Sequence, residues 1–209
     1  DTLVLENVPR LADVGLLQHI LSNHGVDIMV KGKRPGDEDY RGQTLHISAA
    51  RIVDTTAPYE LVSKMRASFW VVGPLLARMG EAKVSLPGGC AIGTRPVDLL
   101  IMALERLGAA IDIDGGYVIA RAKSGLRGGE IVFPKVTVGG THTALMAASL
   151  ASGETAIENA AREPEIVDVA DCLIKMGAKI SGAGTSRIVV EGVSRLNGAR
   201  HSVLPDRIE

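Results

Sequence analysis

The residues best suited to chemistry in this chain fall in one segment, Leu86-Pro87-Gly88-Gly89-Cys90-Ala91-Ile92-Gly93-Thr94-Arg95-Pro96-Val97-Asp98-Leu99. Three glycines surround a thiol between a strand-like run and a helix-like run, which predicts a loop whose cysteine solvent or ligand can reach. Pro96 suits the first residue of a helix. The free amides of that helix, its dipole and the Arg95 guanidinium would then converge where a phosphate or carboxylate binds. Cys90 would share that field, which favours its thiolate or lets it pass a proton in either direction. A glycine-rich turn with an incidental thiol is the plainer account of the same residues. Cys172, within Val169-Ala170-Asp171-Cys172-Leu173-Ile174, reads as a small packed hydrophobe of a helix.

Two further cations stand out. Arg66 lies in the otherwise apolar Met65-Arg66-Ala67-Ser68-Phe69-Trp70-Val71-Val72, beside the only tryptophan, so it needs an anion or a place at the core margin. Lys135-Val136-Thr137-Val138-Gly139-Gly140-Thr141 leads into a helix and could offer an ammonium and backbone amides to a ligand, although a strand, a turn and a cap explain it equally. The acidic Arg162-Glu163-Pro164-Glu165 is accounted for by the positive end of the helix it precedes. The five histidines show no ligand spacing with cysteine or carboxylates, and no bound metal is expected. Dinucleotide, Walker and serine-hydrolase signatures are missing from the sequence, and no cofactor is expected.

The elements that must position these residues follow from composition and repetition. With 46% hydrophobic residues in 209, the chain can bury a large core, while 3% aromatic and 24 glycines predict one built from aliphatic side chains and tight turns. The balance of 23 basic and 24 acidic residues, without a basic stripe, argues against nucleic acid as a partner. Two cysteines make no disulfide framework, and the sequence shows no signal peptide or apolar span of about 20 residues, so no membrane association and a reduced, cytoplasmic setting are expected.

Three phrases recur: His24-Gly25-Val26-Asp27-Ile28, Leu107-Gly108-Ala109-Ala110-Ile111 and Met176-Gly177-Ala178-Lys179-Ile180. Each ends an amphipathic run, over residues 14–21, 96–107 and 167–176, and the glycine fits a left-handed helix terminus. Each opens paired strand-like segments, with Gly115-Gly116 and Gly182 to Gly184 as hairpin turns. Strands over 2–5, 83–86 and 155–158 precede the runs, and helices over 59–79 and 141–150 precede the second and third of those strands. The unit is therefore βαβαββ, used three times, in an α/β (mixed α+β) architecture. Its first copy lacks an opening strand and helix, and the chain begins on Asp1 rather than methionine, which predicts a longer protein upstream.

Pro58-Tyr59-Glu60-Leu61-Val62, Met65-Arg66-Ala67-Ser68, the Gly-Gly-Cys loop, Arg95-Pro96-Val97-Asp98-Leu99, Glu158-Asn159-Ala160-Ala161-Arg162-Glu163-Pro164-Glu165-Ile166-Val167-Asp168 and Leu204-Pro205-Asp206-Arg207-Ile208-Glu209 together resemble the enolpyruvyl transferases, in the branch that opens peptidoglycan synthesis. The resemblance runs along essentially the whole chain. It implies an inverse αβ barrel of three repeats, one lobe of a two-lobed enzyme: residues 1–204 would form the lobe carrying the catalytic loop, and 205–209 would start the crossover to the second lobe.

The implied partners are UDP-N-acetylglucosamine, phosphoenolpyruvate and that second lobe. By motif, Cys90 is the catalytic loop cysteine that meets phosphoenolpyruvate and is alkylated by fosfomycin. Arg95 belongs to the phosphate-binding group. Arg95, Pro96, Val97, Asp98 and Leu99, with Lys135, Val136, Thr137 and Val138, line the UDP-sugar site, and Arg66 lies near. The family's Lys-Asn pair falls upstream of Asp1, and its catalytic Asp and a further Arg fall beyond Glu209. The general base is thus outside the chain, and the 209 residues alone should turn over no substrate. Leu100 stands where many members carry His. A non-catalytic UDP-sugar-binding or assembly module is the alternative from another class. The shikimate-pathway transferase lacks the Gly-Gly-Cys loop, and the RNA 3′-phosphate cyclases would need the basic stripe.

Overall fold

The computed structural model describes residues 1–32, 42–87 and 97–205. The chain starts with β1 (Leu3–Val8), α1 (Ala12–Asn23), β2 (Asp27–Lys31) and β3 (Gln43–Ser48). A second stretch holds β4 (Thr56–Ala57), α2 (Tyr59–Val62), a 3₁₀ helix (Arg66–Val71), α3 (Val72–Met79), β5 (Glu81–Ser85), α4 (Asp98–Arg106), β6 (Ala110–Asp114) and β7 (Tyr117–Arg121). A third holds β8 (Glu130–Val132), α5 (Val138–Ala148), β9 (Glu154–Glu158), α6 (Pro164–Lys175), β10 (Lys179–Ser181) and β11 (Arg187–Glu191), and β12 (Arg200–Ser202) closes the order. Two compact units divide the chain: Asp1–Asp54 with the C-terminal segment from Asn197, and Thr55–Leu196.

The three sheets share one strand order, β12-β1-β3-β2, β4-β5-β7-β6 and β8-β9-β11-β10. Within each, the first pair is parallel and the other two pairs are antiparallel. This is the repeat that the sequence predicts. The structure differs in the first copy: the slot of its opening strand is filled by β12, from the far end of the chain, with Leu5 opposite His201 in parallel register. The Arg200 guanidinium pairs with Glu6, and Asn7 Nδ2 donates to the Val203 carbonyl oxygen at 3.0 Å, holding that strand in place.

The single helix expected over 59–79 is broken. Met65 is extended (φ −149°, ψ 120°), and the chain re-enters as the 3₁₀ helix before α3. Pro74 supplies the reason: inside a continuous helix it would lack its N–H bond and clash with the preceding turn, whereas it is tolerated in the first turn of α3. The glycine joints do sit where the repeat requires them, Gly25, Gly108 and Gly177 having φ of 90°, 88° and 104° just past the ends of α1, α4 and α6. Gly115 and Gly116, at φ 55° and 81°, make the β6–β7 hairpin turn.

In the Thr55–Leu196 unit the core is aliphatic, with Leu76, Leu104, Leu145, Ile157 and Ile188 fully buried, and Phe69 and Phe133 joining them. Helix α5 runs through its middle and packs on the 3₁₀ helix, α3, α4 and α6. It has no polar face: Gly140 to Leu145, Ala147 and Ala148 are all buried. Among the described residues, no helix is long and apolar enough to cross a membrane.

Candidate functional site

A cavity of about 580 Å³ opens within the Thr55–Leu196 unit where three helices begin. One wall is the 3₁₀ helix, through Arg66, Ala67 and Trp70. A second is the first turn of α4, through Asp98, Leu99 and Leu100. The third is the approach to α5, from Lys135 and Val136 through Thr137 to Val138 and Gly139. The first amides of a helix have no intrahelical acceptor, so α4 and α5 bring N–H groups and positive dipole ends to this place. Arg66 and Lys135 add two cations against the single carboxylate of Asp98. The arrangement suits an anionic ligand with an apolar or planar part, since Leu99, Val136 and the indole offer contact area beside the charges.

The start of α5 is built with care. Thr137 caps it, its Oγ1 accepting the Gly140 N–H at 3.2 Å. Thr141 Oγ1 donates to the Thr137 carbonyl at 2.7 Å and accepts the buried Ala161 N–H at 3.0 Å, tying this turn to the chain ahead of α6. Glycine is a poor helix former, yet two open this helix because their neighbours leave no room. A Cβ at residue 140 would lie 2.5 Å from Thr137 Cγ2 and 2.9 Å from the Phe133 ring, and one at residue 139 would lie 3.1 Å from Trp70 Nε1.

Behind Trp70 sits His142, with ring centroids 4.8 Å apart and planes at 47°. His142 is 5% exposed, and its Nε2–H donates to the Glu165 carbonyl oxygen at 3.3 Å; a carbonyl can only accept, so the proton is assigned to Nε2. Nδ1 is left as a buried acceptor without a partner among the described residues. Burial lowers the His142 pKa from its ordinary value, against opposing pulls from its bond to Glu165 and the charges of Glu165 and Glu163, so the ring is neutral at pH 7. The Cys172 thiol is pushed up, first by burial and then by Asp168, and is no candidate nucleophile at neutral pH.

The site residues singled out from the sequence are therefore placed as follows. Arg66, Asp98, Leu99, Lys135, Val136, Thr137 and Val138 surround one cavity. Val97 is buried at the cap of α4 and does not line it. Cys90, Arg95 and Pro96 lie outside the described residues. Sequence reasoning left out Ala67, Trp70 and Gly139 as site residues. Ala67 and Trp70 stand three apart, which is one face of a 3₁₀ helix, and a Gly-Gly pair at a helix start was the available sign of a close approach.

A family model described as EPSP synthase (3-phosphoshikimate 1-carboxyvinyltransferase) matches residues 1–209. The chain belongs to that family. Among curated proteins it is 79% identical over 209 residues to a UDP-N-acetylglucosamine 1-carboxyvinyltransferase of Nitrobacter winogradskyi, equally so to one of Afipia carboxidovorans, and 78% identical to one of Rhodopseudomonas palustris. Each alignment takes in 100% of this chain and 49% of the relative, so the chain spans about half the length of these curated relatives. Among solved structures, the enolpyruvyl transferase NikO from Streptomyces tendae matches with a TM-score of 0.76 at 19% identity, over 98% of this chain and 46% of that one. EPSP synthase from Acinetobacter baumannii matches at 0.72 and 19%, over 97% and 44%. These likenesses show the fold, that of a lobe of the enolpyruvyl transferases.

Proposed function

We propose that this chain is one lobe of an enzyme that transfers the carboxyvinyl group of phosphoenolpyruvate to the 3′-hydroxyl of UDP-N-acetylglucosamine and releases phosphate, the first committed step of peptidoglycan synthesis, in the cytoplasm. The observation that carries it is the gathering of Arg66, Asp98, Leu99 and residues 135–138 around one cavity, in a chain 79% identical to proteins bearing that activity's name. In this reading residues 1–204 form the lobe, 205–209 begin the crossover, and the cavity receives the nucleotide end of the sugar donor. Arg66 and Lys135 oppose its charges, and the first amides of α4 and α5 meet its oxygens.

The reaction needs an acid at C3 of phosphoenolpyruvate, a base on the sugar hydroxyl and cations on the phosphate. As the hydroxyl oxygen bonds to C2, its proton passes to the base and C3 receives a proton. Phosphate then leaves C2 with its bonding electrons, and C3 returns a proton to restore the double bond. Cys90 is assigned the C3 proton, because a thiol of ordinary pKa about 8.5 can act in either direction near neutrality. Arg95 is assigned the departing phosphate, whose oxygens a planar guanidinium can meet with two donors. The base belongs to the other lobe of the whole protein.

The test is intact mass and peptide mapping of the whole protein after treatment with fosfomycin and UDP-N-acetylglucosamine. One covalent increment at Cys90 is expected; labelling at Cys172, whose thiol is the less acidic, would overturn the assignment. Transfer assays with Cys90→Ser should show loss of turnover while uptake of the UDP-sugar persists.

A further inference from the structure

Trp70 does more than close one side of the cavity. It reaches from the helix that carries Arg66 to the helix that follows Lys135, and its indole is met there by two residues three apart on one face of α5, Gly139 and His142. Gly139 offers bare backbone: a methyl there would stand 3.1 Å from Nε1 and 3.5 Å from Cε2 and Cζ2. His142 presses from behind at 4.8 Å between centroids, and its own ring is buried and held by the Glu165 carbonyl. Only toward the cavity is the indole uncovered by these contacts.

We infer that Trp70 is a positioning residue of this pocket: seated on Gly139 and His142, it sets the separation between the Arg66 wall and the first turn of α5, and so fixes where a nucleotide diphosphate can lie between them. Gly139 is then required by the indole rather than by the helix. Its φ is not in the left-handed region, so alanine would be tolerated by the backbone, and α5 on its own would gain from the change. The inference rests on the nucleotide reading of the cavity and adds residues to it.

The experiment uses this chain, with UDP as the probe, in calorimetric titrations of wild type, Gly139→Ala, Trp70→Phe and the double variant, each first checked by thermal melting. Gly139→Ala should melt no lower than wild type yet bind UDP about tenfold more weakly, because the added methyl displaces the indole into a packed site. Trp70→Phe frees room for that methyl, so the double variant should bind no more weakly than Trp70→Phe alone, a non-additivity that a general loss of structure would not give. Trp70 is the only tryptophan, and UDP should change the emission of wild type and leave Gly139→Ala with a shifted spectrum before ligand is added. If Gly139→Ala binds within twofold of wild type, or the double variant carries its full loss, the positioning role is wrong while the nucleotide reading stands. If wild type takes up no UDP, both fall together.

Discussion

Replacing Thr141 by valine tests the frame that holds the cavity in shape. The side chains have nearly the same volume, so no void opens; what disappears is a fully buried hydroxyl that makes two hydrogen bonds. The Thr137 carbonyl loses little, because it keeps the Thr141 N–H at 3.0 Å. Ala161 loses its acceptor, and its N–H, in a residue of zero exposure, has no route to water. A buried donor left unsatisfied costs about 1–3 kcal/mol, and with the lost hydroxyl donation the total is about 2–3 kcal/mol. In a unit of this size each kcal/mol moves Tm by about 2–4 °C, so Thr141→Val should lower it by roughly 4–12 °C. Thr141→Ser keeps the hydroxyl and removes one methyl, at about 1 kcal/mol. Thermal denaturation followed by circular dichroism reads both. A valine variant melting within about 1 °C of wild type, or a serine variant falling as far as the valine one, would refute the argument.

Removing the Lys135 charge with Lys135→Met, which keeps the apolar stem, should weaken UDP binding by about tenfold at low salt and flatten its dependence on ionic strength, read by titration at two salt concentrations. His142 yields a pH prediction. Its folded pKa lies below the unfolded value of 6.5, so between the two the unfolded chain binds the extra proton. Stability is thus complete above pH 6.5 and declines as pH falls toward the folded pKa, by at most about 1.4 kcal/mol per pH unit. Urea unfolding at pH 7.5 and 5.5 checks it, and His142→Gln should reduce the difference.

The repeat was legible because its signals are local. A glycine after an amphipathic run marks a helix end whatever the rest of the fold does, and Gly25, Gly108 and Gly177 all occupy the left-handed region. Long-range pairing carries no such mark. Nothing within Arg200–Ser202 announces that it lies beside β1, nearly two hundred residues away, and the slot was sought upstream instead. Helix α5 was placed too late, at 141 rather than Val138, because Gly139 and Gly140 read as a turn. They are glycines on account of Trp70 and Phe133, which belong to other elements. For the same reason the cavity was only half legible. Arg66, Asp98 and Lys135 are conspicuous one by one, but their meeting is a tertiary fact, and the chemistry assigned to them came from resemblance to a family.

The position of the cavity follows from topology. In β4-β5 and in β8-β9 the paired strands run parallel, so each pair has both carboxyl ends on one side of its sheet. Whatever follows those strands must start there: the 3₁₀ helix after β4, α4 after β5, α5 after β8 and α6 after β9. The first three starts line the cavity, and the fourth supplies the Glu165 carbonyl that holds His142 behind Trp70. Ligands of open α/β sheets gather outside the carboxyl ends of parallel strands for this reason, since helix amides and dipoles converge on that side. An anion-receptive hollow is therefore built into the repeat itself. What particular side chains contribute is its width, through Trp70 on Gly139, and its charge pattern, through Arg66 and Lys135 against Asp98. Substitutions at those positions should change affinity for the ligand far more than they change the fold.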